Sequence, residues 1–306
     1  MAVMANQSHN TIENAALTSS GPPAVSQRQV LASAAGLTKV YGQGEAAVRA
    51  LRGVDLDFDR GQFTAIMGPS GSGKSTLMHC MAGLDRPTSG TVRLGDQMIS
   101  GMSERSLTKL RRTQIGFVFQ AYNLVASLTA LENITLPLEL AHRSVEETWL
   151  NTITGVLGLS DRLTHKPAEL SGGQQQRVAC ARALVTRPEI VFADEPTGNL
   201  DSTTSREVMR LLQRCWREFG QSLVMVTHDA AAAAYAERVV FLADGKVAGE
   251  LAHPSQDEIE VALRAIRLAA AGNGNGNTNG LPSQAAGAAG AAGAGHGQLA
   301  STTKEA

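Results

Sequence analysis

Apolar residues recur along this chain in two rhythms. Val54-Asp55-Leu56-Asp57-Phe58-Asp59 alternates apolar and charged side chains, the period-two pattern of a strand with one wet face. Phe63 to Met67 is mostly apolar and predicts a strand buried on both faces. From Val30 to about Gly95 the pattern predicts short strands. Leu107 to Leu170 predicts mostly helix, broken by the apolar run Ile115 to Phe119. Further on, strand patterns at Ile190 to Ala193 and Leu223 to Thr227 alternate with helical ones. Such a βαβ order demands a parallel sheet, so the fold class is α/β. Ser255-Gln256-Asp257-Glu258 fits a capping box, and Ile259, Leu263 and Ile266 follow at helical spacing. A C-terminal helix over 254–271, packed on the domain, is expected.

The strongest chemical signal lies directly after the Phe63–Met67 run: Gly68-Pro69-Ser70-Gly71-Ser72-Gly73-Lys74-Ser75-Thr76, opening a helix-forming segment. Gly68, Gly71 and Gly73 allow the backbone to curl until successive N–H groups point at phosphate oxygens. Lys74 brings a charge for the β and γ phosphates, Ser75 a hydroxyl for Mg²⁺, and the helix its positive end. This is a nucleoside triphosphate site.

Composition narrows the class. The 306 residues, 43% of them hydrophobic, allow one or two domains with a large core. A formal net charge of −1 leaves no basic footprint, so nucleic acid is not the expected partner. Met1 to Gln27 has no Lys or Arg and no sustained apolar run, which argues against a signal peptide. No window is apolar over the length a bilayer-crossing helix needs. Residues 1–29 are polar and expected to be disordered. Residues 272–306, mostly Gly, Ala, Asn, Ser and Thr, are expected to form a flexible tail. Cys80, Cys180 and Cys215 lack metal-ligand spacing and are expected as buried free thiols.

Two further constellations turn nucleotide binding into chemistry. Ile190-Val191-Phe192-Ala193 ends in Asp194-Glu195, two carboxylates at the C-terminal end of a buried strand, where parallel sheets gather ligands. Asp194 would hold Mg²⁺ through water opposite Ser75, and Glu195 would polarise the attacking water as general base. Leu170-Ser171-Gly172-Gly173-Gln174 precedes a helical segment and offers a second anion site, although taken alone it reads better as a plain helix cap. A chain that already has a phosphate loop would use a second phosphate reader most economically in a neighbour's site.

Taken together, the phosphate loop, the LSGGQ sequence of residues 170–174, Asp194-Glu195 and His228 after Val224-Met225-Val226-Thr227 resemble the ATP-binding cassette family over about Leu31 to Glu250. The resemblance implies a P-loop NTPase core with a parallel sheet, an antiparallel β subdomain and an inserted helical subdomain at about 103–170, the whole nucleotide-binding domain spanning 30–253. It implies ATP and Mg²⁺ as ligands and a head-to-tail homodimer enclosing two ATP molecules. It also assigns residues that spacing alone leaves as a strand-end glutamine, a structural histidine, a turn aspartate and a half-buried tyrosine. Gln120 matches a ligand to Mg²⁺ and the attacking water, and His228 a γ-phosphate sensor. Asp201, in Gly198-Asn199-Leu200-Asp201, matches a contact with the opposite subunit, and Tyr41 the aromatic that stacks on adenine.

Glu45, Gly83-Leu84-Asp85-Arg86-Pro87, Glu132-Asn133 and Leu136-Pro137 are similar to the branch of macrolide exporters, lipoprotein-releasing systems and the cell-division ATPase. That branch works with separate permeases, which implies a cytoplasmic subunit held at the inner membrane face by its permease. A regulatory ATPase driving a cell-wall hydrolase through a permease-like partner would carry the same motifs. Ala121 to Leu140 carries apolar residues such as Tyr122, Leu124, Val125, Leu128 and Leu131, which read mostly as helical-subdomain core but could also line a groove for a permease helix, and the resemblance implies a docking role for the loop Ala121 to Ser127.

Overall fold

The computed structural model describes residues 29–273. The segments expected at 1–29 and 272–306 lie outside these apart from their border residues.

Two sheets organise the chain. The first is antiparallel, in the order β2-β1-β4-β5: β1 (Val30–Tyr41), β2 (Val48–Asp59), β4 (Ser89–Leu94) and β5 (Gln97–Met98). The second has six strands in the order β10-β9-β3-β8-β7-β6: β3 (Phe63–Met67), β6 (Ile115–Phe119), β7 (Ile190–Asp194), β8 (Ser222–Val226), β9 (Arg238–Ala243) and β10 (Lys246–Ala252). Its strands run parallel except for the edge hairpin β9–β10. The helices are α1 (Lys74–Met81), α2 (Glu104–Gln114), α3 (Ala130–Leu140), α4 (Glu147–Val156), α5 (Gly172–Leu184), α6 (Ser202–Phe219), α7 (Ala230–Ala233) and α8 (Gln256–Asn273).

One correction concerns the N-terminal strands, expected to be short. β1 and β2 are each 12 residues long. Gly36 and Gly53 sit inside these strands at φ 56° and 84°, beside shifts in the β1–β2 register. Here glycine makes a bulge rather than an end.

Period two in the central strands sorts their side chains into two cores. Phe63, Ala65 and Met67 of β3, Val191 and Ala193 of β7, and Val239 and Phe241 of β9 join the helices α3 to α8. Their alternates Ile66, Ile190, Phe192 and Val240 join α1, α2 and the inner face of the antiparallel sheet, including Leu51, Val54, Leu56 and Phe58. Burial on both faces explains why these strands read as unbroken apolar runs while β2 alternates. The layering leaves the C-terminal ends of β3, β7 and β8 converging at one edge, where ligands gather in parallel sheets.

α8 begins where the capping box predicted. Ser255 N donates to Glu258 Oε2 at 2.8 Å and Glu258 N to Ser255 Oγ at 3.3 Å. Ile259 and Leu263 are buried against the helical core. All three cysteines are free and buried, and burial raises the thiols, that of Cys80 to about 11 and that of Cys215 to about 12.

Candidate active site

The phosphate loop leaves the end of β3 and enters α1. Gly73 caps α1 at φ 97°, and a methyl on it would lie 2.4 Å from the carbonyl oxygen of Ala50. At Gly68 a methyl would lie 2.0 Å from the carbonyl oxygen of Leu242. Only glycine fits either position. Within the loop, Lys74 Nζ donates to the carbonyls of Gly68 at 3.0 Å and Pro69 at 2.8 Å. Burial pushes its pKa down, against the pull of Glu195 and Asp194. Ser72 Oγ is buried here without a protein hydrogen-bond partner. A buried orphan hydroxyl beside a half-buried ammonium is a site built for an anion's oxygens.

β7 brings the two carboxylates to the same edge. Ser75 Oγ donates to Asp194 Oδ1 at 3.2 Å, joining residues 119 apart in sequence. Burial raises the Asp194 pKa, opposed by that hydroxyl, by His79 and by Lys74. His79 Nε2, one turn along α1 from Ser75, lies 4.0 Å from Asp194 Oδ2, a neighbour that the sequence did not single out. Glu195 sits at φ 46°, a strained conformation for a side chain of its size, and its N–H donates to Val226 O at 2.9 Å. Its Oε1 lies 2.9 Å from His228 Nδ1, while His228 N donates to Oε2 at 3.4 Å. The His228 side chain is 72% exposed and that of Glu195 18%, so the histidine is the outward-facing member of the pair.

Gln120 follows β6, whose Phe119 pairs with Asp194. Its Nε2 donates to Asn199 Oδ1 at 3.2 Å, and Asn199 Nδ2 returns a bond to the Gln120 carbonyl at 2.9 Å. Asn199 is thus a second residue that motif reading passed over. After Gln120, Tyr122 and Asn123 take left-handed conformations at φ 57° and 51°. Arg182 of α5 stabilises that turn by donating to both their carbonyls at 2.7 and 2.6 Å. Nothing in the sequence marked Arg182 for this task.

Ser171, Gly172, Gly173 and Gln174 form a separate group. Ser171 caps α5 reciprocally with Gln174, so the plain-cap reading holds locally. Methyls on Gly172 and Gly173 would meet Tyr122 Oη at 3.1 Å and Thr204 Cγ2 at 2.5 Å, which places the α5 start against the α6 start. There Asp201 accepts from Thr203 N and Thr204 N at 2.9 and 3.1 Å and from Thr204 Oγ1 at 2.6 Å. Among the described residues no hydrogen bond joins this group to the phosphate loop. Tyr41 stands at the end of β1 with 42% of its surface exposed, its hydroxyl reaching the side chain of Thr76 at the end of the phosphate loop.

An apolar groove overlaps the expected stretch Ala121 to Leu140 in part. It is lined by Phe117 and Phe119 of β6, Leu136, Pro137 and Leu140 of α3, and Arg111 of α2. None of Tyr122, Leu124, Val125, Leu128 or Leu131 lines it, although Asn123 of the expected loop does; Leu124 and Leu131 pack on the core, as the core reading has it. Asn133 fixes the loop backbone, accepting from Val125 N at 2.7 Å and donating to the carbonyls of Val125, Leu128 and Thr129, while the Val125 side chain stays exposed.

With that geometry, comparison with known proteins is direct. A family model described as ABC transporter matches residues 51–198. The chain is 50% identical over 216 residues to the lipoprotein-releasing system ATP-binding protein LolD of Geobacter metallireducens, covering 70% of this chain and 96% of that one. It is 47% identical over 214 residues to the macrolide export ATP-binding/permease protein MacB of Marinobacter nauticus, but spans only 33% of that protein. Among solved structures, the dimeric post-hydrolysis state of the ATP-binding cassette MJ0796 bound to ADP and Pi superposes with a TM-score of 0.67 at 42% identity, covering 74% of this chain and 100% of that one.

Proposed function

We propose, from the premise that this chain belongs to the ABC transporter family, that it is the ATP-binding and ATP-hydrolysing subunit of a transporter and powers a separate membrane permease. The observation that carries this reading is the meeting of Lys74, Ser75, Asp194, Glu195 and His228 at one sheet edge. Lys74 exchanges its two loop carbonyls for phosphate oxygens when the triphosphate enters. Glu195 takes the proton of the attacking water, and His228 fixes the orientation of that carboxylate from outside.

Ser75 Oγ and Asp194 Oδ1 are hard oxygen donors of the kind Mg²⁺ takes at nucleotide sites, alongside phosphate oxygens. Gln120, its Nε2 given to Asn199, would present Oε1 to the same ion. Mg²⁺ held there would neutralise charge on the β and γ phosphates. The second phosphate-reading group lies off the first within one chain. Ser171 and Gly173 of a second copy would therefore close each site in a head-to-tail pair, and twofold symmetry makes the two sites equivalent. No helix among the described residues is long and apolar enough to cross a membrane. Attachment to the inner membrane face would run through the permease, with the β6–α3 groove receiving its cytoplasmic helix. Phosphate release by the purified protein, with Mg²⁺ and with excess EDTA, tests the reading. Mg²⁺-dependent ATP hydrolysis is expected, and its absence overturns the proposal.

Tyr41 is assigned to the adenine ring. Tyr41→Ala is expected to raise the ATP dissociation constant several-fold, matching a stacking increment of roughly 1 kcal/mol, while Tyr41→Trp preserves affinity. A π face reads no hydrogen-bonding edge, so ATP and GTP should respond alike in a titration of the three forms.

A further inference from the structure

Tyr41 is the last residue of β1, and an exposed ring at a strand end would ordinarily swing between rotamers. Here it is tied at its far end. Its hydroxyl donates to Asp85 Oδ2 at 2.6 Å. The other oxygen of Asp85 accepts from Lys39 Nζ at 2.5 Å, and the same ammonium donates to the Arg86 carbonyl at 2.7 Å. Lys39 lies two residues before Tyr41 on the same strand and so on the same face. Its Nζ is 4.8 Å from the ring centroid, and its side chain is only 12% exposed. The ammonium covers one side of the ring and leaves a base the other.

Asp85 is itself held. Its N–H and that of Leu84 donate to the His79 carbonyl at 3.2 and 2.9 Å, so the segment hangs from the end of α1. Beyond it, Thr88 Oγ1 accepts from Val40 N at 2.9 Å and Thr88 N donates to the Thr38 carbonyl at 2.8 Å, closing the segment onto β1 beside Tyr41. α1 begins at Lys74, and its first-turn Thr76 also meets the Tyr41 hydroxyl, so the ring lies along one rigid helix whose start carries the phosphate loop.

We propose that Asp85, gripped by Lys39, is the positioning residue that pre-sets the Tyr41 ring to receive the nucleobase in register with the phosphate loop. This rests on the reading that Tyr41 stacks on the base. Without Asp85 the ring must be ordered at each binding event, and that cost falls on affinity for the base rather than on phosphate chemistry.

The test titrates ATP and tripolyphosphate, which has no base, against the full chain and its variants. Asp85→Ala and Tyr41→Phe are each expected to weaken ATP by about two- to four-fold, less than the loss in Tyr41→Ala. The double variant should bind no worse than either single one, because both remove the same bond. Tripolyphosphate affinity should stay at the wild-type value in Asp85→Ala, and the ATPase change should fall on KM rather than kcat. Tyr41→Phe guards against misfolding of Asp85→Ala, since it removes only an oxygen. If Tyr41→Ala weakens ATP but Asp85→Ala and Tyr41→Phe do not, positioning is overturned while stacking stands. Additive losses, or an equal loss of tripolyphosphate affinity, also overturn it. If Tyr41→Ala itself leaves ATP affinity unchanged, the stacking reading fails and takes the proposal with it.

Discussion

Glu195→Gln is expected to slow ATP hydrolysis by ~10²–10⁴-fold, the usual contribution of a general base, while ATP stays bound. The amide keeps the shape of the side chain and an oxygen for His228 Nδ1, which lies 2.9 Å from the present carboxylate, so the surroundings have little reason to move. What disappears is the capacity to take a proton from water. In the proposed head-to-tail pair, bound ATP holds the two copies together and hydrolysis releases them, so a variant that binds without turning over should accumulate as a dimer. Size-exclusion chromatography with and without ATP–Mg²⁺ reads this directly. A Glu195→Gln protein that holds ATP and stays monomeric contradicts the two-copy site.

Lys74→Ala should lose both steps. A charge-assisted hydrogen bond contributes about 1.5–3 kcal/mol, so ATP affinity is expected to fall by roughly 10- to 100-fold. Turnover should fall by a further ~10²–10³-fold, as when a preorganised donor is taken from a developing negative charge. Lys74 is half-buried among loop carbonyls, and no other side-chain cation is hydrogen-bonded within the loop among the described residues. Nucleotide titration together with steady-state phosphate release separates this variant from Glu195→Gln, which keeps binding. Near-normal turnover in Lys74→Ala would remove the core of the proposed site.

Some of the molecule was legible because its physics is local. The phosphate loop is contiguous, its glycines, lysine and serine acting within one turn of chain, and the α5, α6 and α8 caps are settled by residues within three or four positions of each other. The central strands were legible because burial on both faces demands unbroken apolar runs. β1 and β2 were underestimated because Gly36 and Gly53 look alike whether they end a strand or bulge within it, and only the partner strand decides. The apolar stretch after Gln120 was legible only in part. An apolar run after Gln120 signals burial without saying against what: Leu124 and Leu131 pack on the core, Val125 stays exposed, and Asn123 joins β6 and α3 in lining the groove.

By itself, then, the chain determined its α/β class, its phosphate loop and the kinds of residue available for chemistry, since these depend on period and on near neighbours. The tertiary structure alone decided which of them meet. Ser75 joins Asp194 across 119 positions, Gln120 joins Asn199 across 79, Tyr41 joins Asp85 across 44 and Glu195 joins His228 across 33. Periodicity tells each strand which face to bury but not which strand lies beside it. Loop closure adds only slowly to the cost as the intervening chain lengthens, so separation in sequence neither forbids nor predicts these encounters. The register of the parallel sheet, set by packing of its two cores, brings three of them together, and closure of the segment after α1 onto β1 brings Tyr41 to Asp85.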